Sequence, residues 1–295
     1  MAQLVRDDGI DVLVDLSGHT AHNRLLAFAR KAAPVQVTWL GYLNTTGLEA
    51  MDYRITDAHA SPPGLLDNCH TEALARLPDS QWCYRPPEDC PDVTPAPTVS
   101  TGTFTFAVFT TPPKITDAMI ELWSRLLARV PGSRLVVLCA ILGSIPAQFR
   151  ARFVNGGIPN ERLQLLGSKS FKDYLAMHGI VDLMLDTFPY SGGTTTCHAL
   201  WMGVPVVTLA GGTATSRGGA SLLHAVGLSD LVAHGPEQYV NTAAGLAHDR
   251  DRLTELRRAL RARMARSPLT DSVRFTANLE AAYRAMWDTW CRKEG

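Results

Sequence analysis

The strongest constraint on this chain is a sustained alternation of strand-sized apolar runs with helical periodicity. From residue 103 the pattern runs on for most of the sequence. Thr103–Phe109 alternates as a strand, Asp117–Leu127 carries an apolar stripe at helical spacing, and Arg134–Cys139 is a strand again. Ile145–Asn155 then reads as a helix, Leu163–Leu166 as a strand, and Ser170–His178 as a helix with Ser170 as its N-cap. Val181–Leu185, Val204–Leu209 and Leu231–Ala233 continue the strands; Thr194–Met202, Arg217–Val226 and Pro236–Arg250 continue the helices. Strands that each lead into a helix pair in parallel through right-handed crossovers. Residues 103–250 therefore predict a doubly wound, Rossmann-like α/β lobe.

Upstream, the same grammar is shorter. Residues 2–8 read as the end of a helix stopped at Gly9, and Ile10–Leu16 as a buried parallel strand. Asn23–Arg30 predicts a short helix; Val35–Leu40 and Tyr53–Thr56 predict strands, so residues 1–60 read as part of a second α/β lobe. Residues 61–102 hold Pro62, Pro63, Pro78, Pro86, Pro87, Pro91, Pro95 and Pro97 with little periodicity. Proline lacks the backbone donor that helices and central strands need, so this segment predicts an irregular interlobe connection. Residues 251–295 predict C-terminal helices, the first strongly basic over 251–266. Its basic face fits a solvated surface, an acidic partner or a membrane surface. The second, over 271–291, spaces Phe275, Leu279, Tyr283, Met286 and Trp290 three to four apart, as a buried helix face does.

Composition narrows the function classes. Lys+Arg and Asp+Glu both number 28, so the formal charge is zero, against the basic excess of a nucleic-acid binder. The longest apolar run, Leu135–Gly143, is strand-sized and far below the roughly 18 residues of a membrane span. Arg6, Asp7 and Asp8 interrupt any signal-peptide core, and the six cysteines lack a C-x-x-C pair. Both features predict a reduced, cytoplasmic setting with no structural zinc or disulfides. No metal site is expected; Asp182 and Asp186 read as structural carboxylates.

The chemistry concentrates in Asp182–Leu209. A strand ends at Asp186, Gly192 and Gly193 form a turn, and three threonines open a helix. A helix N-terminus offers unpaired N–H groups and partial positive charge, glycine lets a ligand approach the backbone, and threonine adds hydroxyl donors. That combination makes a phosphate cradle, although a plain strand–turn–helix with threonine caps has the same letters.

GGTTTCHALWMGVPVVTLAG (192–211) resembles the C-terminal catalytic signature of the nucleocytoplasmic protein O-linked N-acetylglucosamine transferases. The resemblance extends to IDVLVDLSGHTAHNRLLAFARKAAPVQVTWLGY, MDYRITDAHASPPG, FAVFTTPPKITDAMIELWSRLLARVPGSRL and GGTATSRGGASLLHAVGLSDLVA, almost the whole chain. It implies a GT-B glycosyltransferase fold, with the C-terminal Rossmann-like lobe complete and about the last three strands of the N-terminal lobe present. It further implies inverting, metal-independent transfer of N-acetylglucosamine from UDP-N-acetylglucosamine, a donor substrate rather than a cofactor, to Ser or Thr hydroxyls of protein or peptide acceptors. The family's candidate acid/base histidine and its helical repeats lie upstream of the segment matched here, so the chain reads as a fragment that lacks them. A non-catalytic UDP-sugar-binding fragment and a GT-B enzyme of another acceptor specificity are the alternatives.

Carried over by position, the resemblance puts Lys114 on the diphosphate of the donor, with Gly193, Thr194 and Thr195 beside it. His198 stands where the family usually has an acidic residue on the ribose hydroxyls; a buried structural histidine is the other reading. Tyr174 matches the residue that faces the uracil, flanked by Lys169 and Phe171, though on an amphipathic helix it fits the core equally. Gly41 and Tyr42 begin the sugar-side loop, where Leu43-Asn44 replaces the family's Pro-Gly. His19, after the first strand, is a candidate acid/base or a positioning residue, and Arg217 either steers an anion or caps the fold.

Overall fold

Valine and leucine runs flanked by turns become strands buried on both faces, which a parallel sheet covered by helices requires. The computed structural model describes residues 1–141 and 145–294. A first sheet holds β1 (Val12–Asp15), β2 (Val35–Thr38), β3 (Tyr53–Asp57) and β4 (Ala73–Leu77), all parallel and in that order. The second holds β5 (Thr105–Thr110), β6 (Arg134–Cys139), β7 (Leu163–Leu166), β8 (Leu183–Leu185), β9 (Val206–Leu209) and β10 (Val232–Ala233). Its strands are parallel in the order β10-β9-β8-β5-β6-β7, a Rossmann arrangement. The connecting helices are α1 (Ala2–Asp7), α2 (Leu25–Phe28), α3 (Pro97–Thr101), α4 (Asp117–Arg129), α5 (Ala147–Asn155), α6 (Phe171–Ala176), α7 (Thr194–Trp201) and α8 (Gly218–Ala225). The chain ends in α9 (Pro236–His248), α10 (Arg250–Ala265) and α11 (Ser272–Glu294).

Local chemistry sets the boundaries. Thr116, Ser170 and Asp249 cap α4, α6 and α10 by accepting from Met119, Asp173 and Arg252 N–H. Pro146 holds the last extended residue before α5, which begins two residues later than the periodicity suggests. The helix expected over Asn23–Arg30 shrinks to α2, because the Asn23 side chain accepts from Leu25 N–H and Lys31 takes a left-handed φ of 46°. The end of the Leu135–Gly143 run lies outside the described residues.

Two expectations are corrected. The segment 61–102 is not irregular throughout: Ala73–Leu77 pairs with β3 over five positions, so the first sheet has a fourth strand beyond the expected three. Its strand is short, at a sheet edge and half-exposed, so the prolines around it hide its alternation. The basic helix α10 is only partly a solvated face: Arg258 and Arg263, with Arg266 at its C-cap, are exposed, but two of its arginines turn inward. Arg257 is buried and donates to the carbonyls of Thr94, Val181 and His178, while Arg261 donates to those of Trp201 and Pro91. These arginines strap the proline-rich connection onto the second lobe. Burial pulls the Arg257 pKa down to about 10, and Asp182 opposes the fall.

The second lobe's core gathers around Trp123, Phe106 and Phe153, with Trp123 and Phe153 stacked at 6.4 Å. The first sheet has its own cluster of Val35, Val37, Ile55 and Leu77, covered by Phe275 and Met286 of α11. The chain thus returns from the second lobe to roof the first; Tyr84 N–H donates to the Leu269 carbonyl at 2.6 Å where the outgoing and returning segments run side by side.

Candidate active site at the sheet switch point

Strand order reverses between β5 and β8, and the crevice beyond their C-terminal ends is where open α/β sheets bind ligands. Thr110 ends β5 there and Asp186 follows β8. Asp186 is buried; its Oδ1 accepts from Gly192 N–H at 2.6 Å and Thr187 N–H at 2.9 Å, and its Oδ2 from Thr208 Oγ1 at 2.7 Å. Burial pushes its pKa up, while these hydrogen bonds and Lys114 oppose. The carboxylate thus ties down the turn that leads into α7. Asp182 is tied down likewise, accepting from Thr98 and Thr105 N–H.

Gly192 is required at this turn. A Cβ there would stand 2.6 Å from Thr196 Oγ1, 2.9 Å from Thr195 Oγ1 and 3.1 Å from Asp186 Oδ1. Gly193 is the N-cap of α7 and supplies no side-chain cap, so the first N–H groups of the helix face the crevice uncapped. Thr194 is exposed and Thr195 half-buried at this helix start.

Lys114 arrives from the turn after β5. Its Nζ donates to the Ser191 carbonyl at 3.1 Å and lies 3.9 Å from the centre of the Tyr190 ring. Burial lowers its pKa, and Asp186 pulls the other way. Lys114, Lys169, Phe171, Tyr174 and Thr195 share the wall of a cavity of about 370 Å³ with Phe109. The structure therefore brings together five of the residues singled out in the sequence.

The aromatic wall differs from a simple uracil-stacking face. Tyr174 packs edge-on to His178 and donates or accepts between its hydroxyl and His198 Nδ1 at 3.1 Å. Phe171, which is 54% exposed, stacks on Tyr174 at 6.1 Å and presents the free aromatic face. His198 is half-buried, its pKa lowered by burial, and lines an adjoining cavity of about 920 Å³ with Thr194, Phe171, Lys172 and Tyr84. His198 is thus neither fully interior nor free: one ring nitrogen is spoken for by Tyr174.

In the first lobe, Gly41 lets the loop after β2 pass the Leu16 carbonyl, which any Cβ would strike. Buried Arg54 holds the loop by donating to the carbonyls of Tyr42 and Asn44 at 2.8 and 2.7 Å. Glu72 accepts from Thr45 Oγ1, Thr46 N–H and Thr46 Oγ1. Burial alone would raise the Glu72 pKa, yet those bonds bring it below the ordinary value. His19 is exposed; its Nε2 lies 2.8 Å from the Thr46 carbonyl, and its ring sits edge-on to Tyr42 at 5.4 Å. A carbonyl only accepts, so Nε2 is the donor, and in a neutral ring Nδ1 would be the nitrogen with the lone pair.

Arg217 lies at the seam between the lobes, donating to the His59 carbonyl at 2.9 Å and the Gly211 carbonyl at 3.0 Å. Asp57, the last residue of β3, accepts from Ser221 Oγ and Gln81 N–H at the same seam. Trp82 wedges against Gly193 and Gly218 there. Trp82, Tyr190, Arg54 and Glu72 gave no sequence signal; Asp186 at a strand end before a glycine turn gave a weak one.

Residues 1–84 and 99–279 match the profile of glycosyl transferase family 41. A probable UDP-N-acetylglucosamine–peptide N-acetylglucosaminyltransferase, SPINDLY, of Arabidopsis thaliana is 45% identical over 297 residues, covering 100% of this chain and 32% of that protein. The SPINDLY protein of Petunia hybrida is 44% identical over 294 residues, 99% of this chain and 31% of its own length. The chain thus spans about a third of the length of these curated relatives. A solved mutant of the Thermobaculum terrenum O-GlcNAc transferase superposes with a TM-score of 0.92 at 42% identity, over 100% of this chain and 56% of that one. Anabaena HepE in complex with UDP matches in fold alone, with a TM-score of 0.57 at 14% identity, 96% of this chain and 81% of that one. The fold is GT-B. On the family profile and on these relatives, the chain belongs to glycosyl transferase family 41.

Proposed function

We propose that this chain carries the donor-binding half of an inverting transferase that moves N-acetylglucosamine from UDP-N-acetylglucosamine to Ser or Thr hydroxyls of proteins. One observation carries the reading: Lys114 and the uncapped start of α7 converge on one crevice at the switch point. An ammonium and a helix N-terminus meet the charge that grows on a departing diphosphate, so we propose that the reaction needs no metal. In the step proposed, the acceptor oxygen bonds to the anomeric carbon, the bond to the diphosphate breaks, and UDP leaves. His19 offers its Nδ1 lone pair for the acceptor's proton.

In this reading Thr194 and Thr195 hold the diphosphate, Phe171 and Lys169 the nucleoside, Tyr174 orients His198 toward the ribose, and Gly41 and Tyr42 shape the sugar side. Arg217 keeps the lobes in register. Helical repeats outside this chain are proposed to deliver the acceptor, and the unpaired cysteines suit a cytoplasmic setting. Among the described residues, no helix is long and apolar enough to cross a membrane.

The test is calorimetry with UDP, then mass spectrometry for HexNAc on Ser/Thr peptides, with and without EDTA. Removing one charge-stabilising donor of this kind costs about 10²–10³ in rate. Lys114→Ala should therefore fold normally and lose transfer by that factor; near-normal turnover by that variant would sink the assignment.

A second reading keeps the family and changes the donor. It rests on His198, whose Nδ1 is committed to Tyr174, in place of the carboxylate that the resemblance leads one to expect on the ribose. A panel of nucleotide sugars decides: preference for one other than UDP-N-acetylglucosamine favours it.

A further inference from the structure

Tyr190 appears in none of the roles above, yet it lies under the ammonium that matters most. We infer that Tyr190 is the positioning residue for Lys114: its ring fixes the ammonium over the mouth of the diphosphate crevice. The inference rests on the reading of Lys114 as the diphosphate lysine.

Three observations support it. Lys114 Nζ lies 3.9 Å from the Tyr190 ring centre, well within the range where a cation is attracted to an aromatic face. The same Nζ donates to the carbonyl of Ser191, the residue after Tyr190, so one short segment supplies both of its contacts. That segment is itself fixed: Thr187 Oγ1 donates to the Tyr190 carbonyl at 2.7 Å, and Ser191 N–H and Oγ both donate to the Thr215 carbonyl. A lysine on a four-carbon stem has many rotamers, and two fixed contacts remove most of them before a nucleotide arrives.

The charged and aromatic groups near the ammonium are Asp186, which favours its charge, and Tyr190 itself, and Lys169 lines the same cavity. Burial pushes the Tyr190 phenol up, so the ring stays neutral and its face electron-rich near neutral pH. The cation–π contact needs the ring and not the hydroxyl. Phenylalanine should replace Tyr190; an aliphatic side chain should not. Loss of the ring leaves a half-buried ammonium with one attractive partner fewer, so its pKa should fall.

Lys114 is titrated directly in the full chain, as its ¹³C-dimethylated side chain by NMR, with Lys114→Arg giving the assignment. Tyr190→Phe should keep the wild-type midpoint, and Tyr190→Leu should lower it by about half to one pH unit. In parallel calorimetry, Tyr190→Leu should weaken UDP binding several-fold and Tyr190→Phe should not. Equal midpoints in all three proteins overturn the proposal, and so does Tyr190→Phe behaving as Tyr190→Leu. A lowered midpoint with unchanged UDP affinity supports the positioning role and removes Lys114 from the diphosphate, so the two failures are distinct. Should Tyr190→Leu not fold, Tyr190→Gln reads the same contact.

Discussion

Gly192→Ala tests the cradle at its tightest point. The added methyl would stand 2.6 Å from Thr196 Oγ1, 2.9 Å from Thr195 Oγ1 and 3.1 Å from Asp186 Oδ1. Thr195 and Thr196 belong to the first turn of α7, and Asp186 is fixed by Thr187, Gly192 and Thr208. Either both threonine hydroxyls swing away into the packed helix start or the turn opens. Overpacking of this kind costs about 1–3 kcal/mol. Opening also stretches the Gly192 N–H bond to the buried Asp186 carboxylate, and a hydrogen bond to a charged group is worth about 1.5–3 kcal/mol. The two terms overlap, so a loss of about 2–4 kcal/mol is expected. UDP affinity should fall by at least about tenfold, since the same movement tilts the helix start away from the crevice. Gly212→Ala is the control: no atom lies within 4 Å of its Cβ and its φ is not left-handed, so stability should change by under about 1 kcal/mol. Urea unfolding and UDP calorimetry on both variants provide the measurement. A Gly192→Ala protein that unfolds and binds UDP like wild type would refute the steric argument and the placement of the cradle with it.

The buried His178 and Arg257 give two further outcomes. Burial lowers the His178 pKa to about 4, so the folded state binds fewer protons than the unfolded one between about 4 and 6.5, and stability should be lost as the pH is lowered from about 6.5 to about 4. The full loss approaches about 3 kcal/mol, and His178→Phe should flatten that part of a urea-midpoint-against-pH curve; an unchanged slope counts against the linkage. Arg257→Ala removes the guanidinium donor from the Thr94, Val181 and His178 carbonyls and should cost about 3–5 kcal/mol in urea unfolding, whereas a loss under about 1 kcal/mol would show the strap to be dispensable.

The second lobe was legible because each strand and helix announces itself locally: a buried valine run, a cap, a glycine stop. That Lys114, Thr195 and Tyr174 line one crevice was legible because a motif keeps its spacing. The rest depends on partners far away in sequence. Ala73–Leu77 is a strand because β3 lies open beside it, and its own five residues say little among prolines. The periodicity of 271–291 showed a buried face but not which sheet it covers. Arg257 and Arg261 look like surface residues until the connection at Pro91 and Thr94 is laid over them. Tyr190 and Trp82 gain their places from Lys114, Gly193 and Gly218, and no window of sequence contains both members of such a pair.

The roof that α11 makes over the first sheet orders events in time. A chain leaves the ribosome from its N-terminus, and domains fold as they emerge. Here the first sheet emerges early, but Val35, Val37, Ile55 and Leu77 wait for Phe275 and Met286. The second sheet needs nothing upstream of the proline-rich segment for its own hydrogen-bonded ladder. Synthesis therefore runs from first lobe to second, while folding must close in the opposite order. Until α11 is made, β2, β3 and β4 lack the cover of Phe275 and Met286, and any stop or cut before residue 272 would make that exposure permanent.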